Sequence, residues 1–363
     1  MEERSLTQRL HIDIPLLFGI LMLCGIGLVV LYSAGGQDIQ LVIRQAIRML
    51  LAIILMLIVA QLTPAQLERW SIWIYLVGIV LLLVVLFAGD IGKGAQRWLD
   101  LGVLRFQPSE IMKLAVPMVV AWFLASQQIP PRFSGIVIVL VLIMLPVVLI
   151  AKQPDLGTAL LVAVAGFAVL FIAGISWKVI SAFVIMIASA TPILWHFMHD
   201  YQRRRVITFL DPEQDPLGAG YHIIQSKIAI GSGGIYGKGW LNGTQSHLEF
   251  LPERSTDFIF AVFSEEFGLM GELLLISLYM FIIVRGLKIA MSVQQTYGKL
   301  LAAGLILTFF VYVFVNMGMV AGQLPVVGVP LPLISHGGTS IVTLMIGFGI
   351  IMSLDTHRRM LSD

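Results

Sequence analysis

The sequence predicts an all-α membrane protein: a polytopic bundle of about ten transmembrane helices with one large extracytoplasmic loop. Hydrophobic residues make up 58% of the 363 residues, charged residues only 12%, and the mean hydropathy is +0.94. This balance is far from that of a soluble domain. Repeated apolar runs have the length that crosses a bilayer core, roughly 20 residues each. We therefore treat 1–363 as a single integral membrane domain, and its net charge of +2 suggests no nucleic-acid partner.

The elements follow from these runs in order. They lie at 14–33, 46–62, 72–89, 109–126, 134–151, 157–174, 178–196, 258–284, 300–321 and 339–354. The first run follows Arg4 and Arg9 and lacks a small-residue cleavage site, so we interpret it as a retained helix and not as a signal peptide. It contains the single cysteine, Cys24, so no intrachain disulfide forms.

Basic residues orient the bundle. An even number of spans puts both termini on one side, and the short loops on that side carry Arg69, Arg132, Lys178, Arg285, Lys288 and Lys299, with Arg358 and Arg359 at the tail. The positive-inside rule assigns that side to the cytoplasm. The count of Lys and Arg is nevertheless 10 there against 13 on or just inside the outer side, 23 in all. Inverted topology therefore stays open as an alternative.

Most of the outer cations lie in two long segments, 90–113 and 197–257, where the rule is weakest and where a cationic surplus indicates an anionic ligand. The 197–257 loop begins with Arg203, Arg204 and Arg205, which either anchor to lipid phosphates or recruit a phosphate-bearing lipid substrate. Further on, Tyr221, Ile224 and Ile228 share one helical face and Lys227 lies off it, which predicts a short helix in the membrane interface.

A glycine-rich stretch, 231–239, resembles a phosphate-binding loop but lacks its pattern. The residue five positions before Gly237 is Ser232, and Lys238 is followed by Gly239 where a P-loop has Ser or Thr. We expect a flexible turn that brings backbone close to lipid or sugar.

The strongest candidate site lies at the start of the eighth span. Asp257 precedes a membrane-length apolar run and follows Glu253 and Arg254. Ionisable groups beside hydrocarbon are costly to keep, so such a cluster is a functional-site hypothesis by default. Asp257 is the leading catalytic candidate.

A second cluster enters the fourth span, with Arg97 and Arg105 ahead of Gln107-Pro108-Ser109-Glu110 and Lys113. Ser109 is placed to cap a helix on which Glu110 and Lys113 lie one turn apart and can pair. The pair is either a structural link or one wall of a substrate cavity. We favour the cavity, because a buried pair alone is weak evidence for stability.

Two smaller motifs fit the edge of the same cavity, although ordinary turn chemistry also explains them. One is Gln153-Pro154-Asp155, and the other runs from Pro325 to Pro332 and ends in Ser335-His336. His196 and His199 are one turn apart but have no third ligand at a metal-site spacing.

These motifs together resemble the SEDS family (shape, elongation, division and sporulation), most closely its elongation members, over nearly the whole chain. The motifs that carry the resemblance are Gly94-Ala95-Gln96-Arg97-Trp98 with Phe106-Gln107-Pro108-Ser109-Glu110, Gln153-Pro154-Asp155-Leu156-Gly157-Thr158, Gly220-Tyr221-His222 with Gln225-Ser226, Glu253-Arg254-Ser255-Thr256-Asp257-Phe258-Ile259-Phe260, and Pro330-Leu331-Pro332 with Ser335-His336-Gly337-Gly338. His336 departs from the motif, where we expect tyrosine.

The resemblance implies an inverting peptidoglycan glycosyltransferase of the bacterial inner membrane. Such an enzyme joins lipid II units during cell elongation and releases undecaprenyl pyrophosphate. It implies Asp257 as general base. The expected substrate-binding residues are Arg97, Arg105, Gln107, Ser109, Glu110, Lys113, Asp155, Lys227, Glu253, Arg254 and Ser335.

No dedicated metal cage is visible, although a divalent cation, Mg²⁺ or Mn²⁺, would suit a pyrophosphate. The expected partners are lipid II, membrane lipids and a class B penicillin-binding protein, a transpeptidase. A flippase for the lipid-linked precursor and a scaffold without chemistry are the alternatives.

Overall fold

The structure is a computed structural model that describes residues 11–92, 95–100, 105–197, 203, 207–211, 219–244 and 253–356. Several predictions fall on residues outside these ranges: those for Arg4, Arg9, His199, Arg204, Arg205, Arg358 and Arg359.

The described residues include eleven helices of at least 15 residues. They are α1 (Ile14–Ala34), α2 (Ile39–Ala60), α3 (Pro64–Ala88), α4 (Pro108–Ala125), α5 (Phe133–Lys152), α6 (Leu156–Ile172), α7 (Trp177–Phe197), α8 (Ala219–Gly233), α9 (Ile259–Ser292), α10 (Thr296–Val320) and α11 (Thr339–Thr356). Eight are long and apolar enough to cross a membrane, and α6 and residues 177–186 of α7 are shorter apolar helices. The ten predicted spans correspond to α1–α7 and α9–α11, so the polytopic all-α class is confirmed.

Polar caps explain why some helices begin before the predicted apolar runs. Asp38 accepts a hydrogen bond from Gln40 N (2.8 Å) and starts α2. Thr63 and Gln66 form a reciprocal capping box at the start of α3, with Pro64 in the first turn. The caps add a polar first turn that a search for apolar residues leaves out.

A small antiparallel sheet, β1 (Asp90–Gly92), β2 (Ala95–Asp100) and β3 (Arg105–Phe106), connects α3 to α4 in the order β1-β2-β3. Asp90 pairs with Trp98, and Leu99 pairs with Phe106. The sequence analysis did not predict this sheet. It ends two residues before Pro108, and so it leads directly into the Gln107 motif at the start of α4.

Three helices form the centre of the bundle. About 72% of the membrane-spanning window of α4 and of α11 is buried, and 67% of that of α10, against 22% for α2. A helix that lies at the periphery of a membrane protein keeps a lipid-facing side, whereas a central one buries most of its surface against protein. Polar side chains on α4, α10 and α11 are therefore shielded from lipid by the surrounding helices.

The glycine-rich stretch packs its backbone against α9, where α9 kinks at Gly268 (φ 61°). A Cβ at Gly233 would lie 2.2 Å from Ser264 O, and one at Gly237 would lie 2.1 Å from Glu266 O. Lys238 N donates to Glu265 O at 3.0 Å. At these two positions glycine is required for a close approach to protein, not for the lipid or sugar contact that the sequence suggests.

Candidate active site

Asp257 lies in a turn, residues 253–258, that leads into α9. Thr256 N and Phe258 N both donate to Glu253 O, at 3.1 and 3.3 Å, and Thr256 Oγ1 donates to the Glu253 carboxylate at 2.9 Å. Glu253 has a positive φ of 54°, a strained backbone for a residue with a side chain. The turn leaves Asp257 half-buried, directly before the buried start of α9.

A second segment, the loop 321–338 between α10 and α11, is tied to this turn. Ser335 Oγ donates to Thr256 O at 2.6 Å, and His336 N donates to Ser255 O at 2.8 Å. Leu331 N donates in turn to Ser335 Oγ at 2.7 Å. Ser335 therefore holds backbone groups of both segments in place. The substrate contact predicted for Ser335 stays a prediction.

Asn316 holds the backbone of Asp257 through a hydrogen bond. This fully buried α10 residue donates through Nδ2 to Asp257 O (2.9 Å) and to Val329 O (2.6 Å). The two bonds hold the 253–258 turn and the 321–338 loop at one point. A Cβ at Gly328, which has a φ of +77°, would lie 3.5 Å from Asp257 Oδ2, so the carboxylate lies against this loop. Sequence reasoning missed Asn316.

Glu110 and Lys113 pair on α4, as the sequence predicts. Lys113 Nζ lies 2.6 Å from Glu110 Oε1, and the two side chains are 7% and 9% exposed. The ammonium lies 5.7 Å from the centre of the Tyr312 ring, within cation–π range. Among the described residues the second carboxylate oxygen, Oε2, is buried without a hydrogen-bond partner. The pair thus retains an unused acceptor in a buried setting, which is costly unless water or a ligand meets it.

A small cavity borders this pair. It has a volume of about 30 Å³ and is lined by Glu110, Lys113, Tyr312, Ser335 and the backbone of 329–333. A second cavity of similar volume continues from Lys113 and Tyr312 between α4, α10 and α11. Each has room for one or two water molecules. A substrate the size of a sugar pyrophosphate must widen the first cavity or bind at its rim.

The cavity and the Asp257 turn are linked through α10. Tyr312 and Asn316 lie one turn apart on this helix, the first beside Lys113 and the second bonded to Asp257 O. Ser335 provides another link, since it lines the cavity and bonds to Thr256 O. The structure therefore brings Asp257, Glu110, Lys113 and Ser335 to one region of the bundle.

Ser109 does not cap α4, so that prediction is wrong. The cap position is Gln107, without a side-chain cap bond, because Pro108 starts the helix one residue earlier. Ser109 lies in the first turn, buried, with Oγ unpartnered among the described residues.

Gln107 and Asp155 meet across two helices. Gln107 Nε2 donates to Asp155 Oδ2 at 2.9 Å, and Asp155 caps α6 by accepting from Thr158 N at 3.3 Å. Asp155 is 7% exposed. The contact fastens the start of α4 to the start of α6, so these residues support the outer wall beside Glu110.

The remaining predicted residues lie further out. Lys227 on α8 is exposed and lies over Gly322, where a Cβ would come 2.9 Å from Nζ. Arg254 lies over Gly36 after α1, with Nη2 3.6 Å from a Cβ built there. Arg97 and Arg105 lie in β2 and β3, and their side chains are outside the described part of the structure.

Two further groups beside the site were missed. His222 on α8 stacks on Phe258 at 5.7 Å, and burial lowers its pKa below 6.5 while the charge of Glu253 opposes the shift. Arg48 of α2 approaches His336, with Nη1 3.4 Å from Nε2. A charge at the outer end of an apolar run was the available signal for Arg48. The predicted short helix is present as α8, and Ile223, Ser226 and Ala229 form its buried face. Its position in the membrane interface stays a prediction.

In the described residues, no group of three or more His, Cys, Asp or Glu side chains is placed to hold a metal ion. The expected divalent cation therefore has no protein cage there. Such a cation would rely on substrate phosphates with one or two carboxylates, as Mg²⁺ commonly does.

The fold is that of a multi-pass helical membrane protein, in which the turn that carries Asp257 is linked to a buried ion pair. These features define a candidate membrane-embedded enzyme. The family model FTSW_RODA_SPOVE, described as "Cell cycle protein", matches residues 9–360, and the chain belongs to this family.

Relatives support the same assignment. "Peptidoglycan glycosyltransferase MrdB" of Escherichia coli (strain K12) is 55% identical over 361 residues, covering 99% of this chain and 98% of that protein. MrdB of Helicobacter pylori (strain J99 / ATCC 700824) is 38% identical and covers 96% and 91%.

Solved structures share the fold. A chain from "Structural coordination of polymerization and crosslinking by a peptidoglycan synthase complex" matches with a TM-score of 0.84, 32% identity and coverage of 97% and 99%. The crystal structure of Thermus thermophilus rod shape determining protein RodA matches with a TM-score of 0.72, 29% identity and coverage of 97% and 98%.

Proposed function

We propose that this chain is the peptidoglycan glycosyltransferase that joins lipid II units into glycan strands during cell elongation, with Asp257 as the general base. The observation that carries the proposal is the 55% identity over 361 residues to a protein named for this activity. The arrangement of Asp257 beside a cavity lined by Glu110 and Lys113 supports it.

The chemistry assigns a role to each group. Asp257 accepts the proton of the acceptor sugar's 4-hydroxyl as that oxygen attacks the donor's anomeric carbon. The new bond joins O4 to C1, and the bond from C1 to the pyrophosphate oxygen breaks with inversion. Undecaprenyl pyrophosphate leaves with both bonding electrons. A base placed within hydrogen-bond reach of the attacking hydroxyl typically supplies a rate gain of about 10²–10⁴.

Cationic side chains hold the leaving group. Lys113 donates one proton to Glu110 at 2.6 Å and has two more for a phosphate oxygen at the cavity. Arg105 and Arg254 add guanidinium groups, which bind phosphate oxygens two at a time. Glu110 orients the Lys113 ammonium through this hydrogen bond.

The site faces the outside of the inner membrane, and both termini are cytoplasmic. A cysteine at Asn242, in a Cys24→Ser background, should react with a membrane-impermeant thiol reagent once the outer membrane is permeabilised. A cysteine at Ser292 should stay protected until the inner membrane is opened. The opposite pattern would place Asp257 in the cytoplasm and contradict the polymerase proposal.

The partner is a class B penicillin-binding protein, which crosslinks the strands that this chain makes. The support is the likeness to a chain of a structure described as coordinating polymerisation and crosslinking in a peptidoglycan synthase complex. Membrane lipids surround the exposed apolar faces of α2, α3 and α5.

The test is polymerisation of purified lipid II by the purified chain, with and without that transpeptidase, and with and without EDTA. The proposal predicts glycan chains whose formation depends on this chain, and the EDTA arm measures the metal requirement. Transbilayer movement of lipid II in vesicles without any glycan would instead identify a flippase. Neither movement nor glycan, with intact partner binding, would identify a scaffold.

A further inference from the structure

The outer end of α2 contributes polar side chains to the loop that carries His336. Gln45 Nε2, fully buried, donates to Ser335 O at 3.4 Å, and Arg48 Nη1 lies 3.4 Å from His336 Nε2. Arg48 is half-buried. These contacts join a helix at the edge of the bundle to the segment that organises the active site.

His336 is also tied to the catalytic turn. Its backbone N–H donates to Ser255 O at 2.8 Å, two residues before Asp257. Its neighbour Ser335 bonds to Thr256 O at 2.6 Å. The imidazole therefore stands on a fixed backbone between the Arg48 guanidinium and the Asp257 turn.

The Arg48 contact selects one form of the imidazole. A guanidinium has only donors, so Nε2 must be the acceptor and the proton of the neutral ring lies on Nδ1. Nδ1 is buried and has no hydrogen-bond partner among the described residues. Protonation of Nε2 would place a donor against a donor and a cation against a cation, which breaks the contact.

We propose that His336 is a positioning residue which, in its neutral form, holds Arg48 beside the Asp257 turn for the pyrophosphate-bearing substrate, and which releases Arg48 on protonation. The inference rests on the proposed glycosyltransferase function. A tyrosine hydroxyl in place of the imidazole would keep an acceptor oxygen without titrating near neutral pH. Histidine therefore gives this chain an acid-sensitive form of the contact.

The charges around His336 agree with this role. Burial, then Arg48 and then Arg44 lower the pKa of His336 below 6.5. Arg44 is within 3.8 Å of Asp38 at the start of α2. The turn contributes Glu253, Arg254 and Asp257, and the first turn of α11 has no ionisable residue. The neutral ring predominates above its pKa, so positioning is present at neutral pH and is lost as the pH falls through a value below 6.5.

The test compares rates of lipid II polymerisation from about pH 8 to pH 4.5 in matched variants. His336→Tyr and His336→Gln each keep an acceptor for Arg48 but do not titrate in this range, and His336→Leu removes the acceptor. Arg48→Ala removes the group that is positioned. Any pH dependence that does not come from His336 is common to these variants, so the ratio of each profile to that of the wild type isolates His336.

We expect the polymerisation rates of His336→Tyr and His336→Gln to match that of the wild type near pH 7.5. At pH values one unit or more below the pKa of His336, their rates should exceed the wild-type rate about tenfold. His336→Leu should be slow at every pH, and Arg48→Ala should make the His336 identity irrelevant. The inference would be overturned if the rates of the wild type and of His336→Gln fell identically as the pH is lowered. It would also be overturned if His336→Leu lowered the rate equally in the wild-type and in the Arg48→Ala background. Absence of glycan from the wild type at every pH would instead refute the proposed function.

Discussion

Two ion pairs, one at each end of the bundle, are built differently: one lies within a single helix, and the other joins two helices. At one end, Glu110 and Lys113 lie on the same helix turn, are almost fully buried, and leave Glu110 Oε2 without a described partner. At the other end, Asp13 and Arg285 join two helices, α1 and α9, through two hydrogen bonds, one of them 3.0 Å long. Between the kink at Gly268 and Arg285, α9 rises roughly 25 Å, close to the roughly 30 Å of a bilayer's hydrocarbon core.

The surroundings of the two pairs differ in the same way. Asp13 also caps α1 by accepting from Leu16 N at 2.9 Å, and nearby His11 bonds to Thr356 at 2.9 Å. These bonds connect the first, ninth and last helices. The Glu110–Lys113 pair lies within one turn of α4, reaches α10 through the Lys113–Tyr312 cation–π contact, and borders a cavity. Its two charges form no salt bridge between helices, and a buried ion pair is weak evidence for stability, so we infer that the pair is kept for a ligand.

Asp257→Asn should have the largest effect on the polymerisation rate. Removing the general base should lower the polymerisation rate by about 10²–10⁴-fold, because the acceptor hydroxyl loses its proton acceptor. Asp13→Asn is the matched control, since asparagine still caps a helix but cannot pair with Arg285 as a charge. Its rate per folded molecule should stay near that of the wild type. Near-normal glycan formation by well-folded Asp257→Asn would remove Asp257 from the catalytic role.

Lys113→Met tests the cavity wall. The methionine keeps most of the volume but removes the cation, so the rate should fall about 10²-fold, as for loss of one preorganised charge-stabilising donor. Exchanging the pair, Glu110→Lys with Lys113→Glu, should recover the melting temperature better than the rate. If Lys113→Met and the exchanged pair both turn over lipid II normally, the pair has no part in catalysis.

Arg285→Ala should give the smallest effect on rate and a clear effect on stability. It leaves Asp13, 5% exposed, without its main cationic partner. We expect a loss of about 1–3 kcal/mol in the free energy of unfolding, because Arg285 itself is 30% exposed and the pair is partly screened. Thermal unfolding in detergent measures the loss. A drop in the rate per folded molecule as large as that of Lys113→Met would contradict the proposed difference in role between the two ion pairs.

The sequence predicts the parts of this arrangement that depend on composition and local order. Each of the ten predicted spans corresponds to a described helix, eight of them long and apolar enough to cross a membrane, since hydrocarbon-length apolar runs have few other uses. The Glu110–Lys113 pair follows from its spacing of three residues on a helix. The importance of the 253–258 turn follows from charge beside hydrocarbon.

The sequence did not predict what depends on contacts between distant segments. Asn316 lies in an apolar run 59 residues from Asp257, and nothing local indicates that it bonds to that residue. The cap of α4 moved from Ser109 to Gln107 because Pro108 fits the first helical position. The 90–106 sheet rests on pairings of short, irregular strands with little alternation to reveal them.

The account's central claim is that the cavity at the outer end receives the lipid-linked substrate. A cysteine at Ser340, which lines this cavity, tests the claim in a Cys24→Ser, Asp257→Asn protein, where bound lipid II should not be consumed. The account predicts that lipid II slows labelling of this cysteine by a thiol reagent several-fold, and that a cysteine at Ser292, near the opposite end, labels at an unchanged rate. Equal labelling of the Ser340 cysteine with and without saturating lipid II would contradict the account.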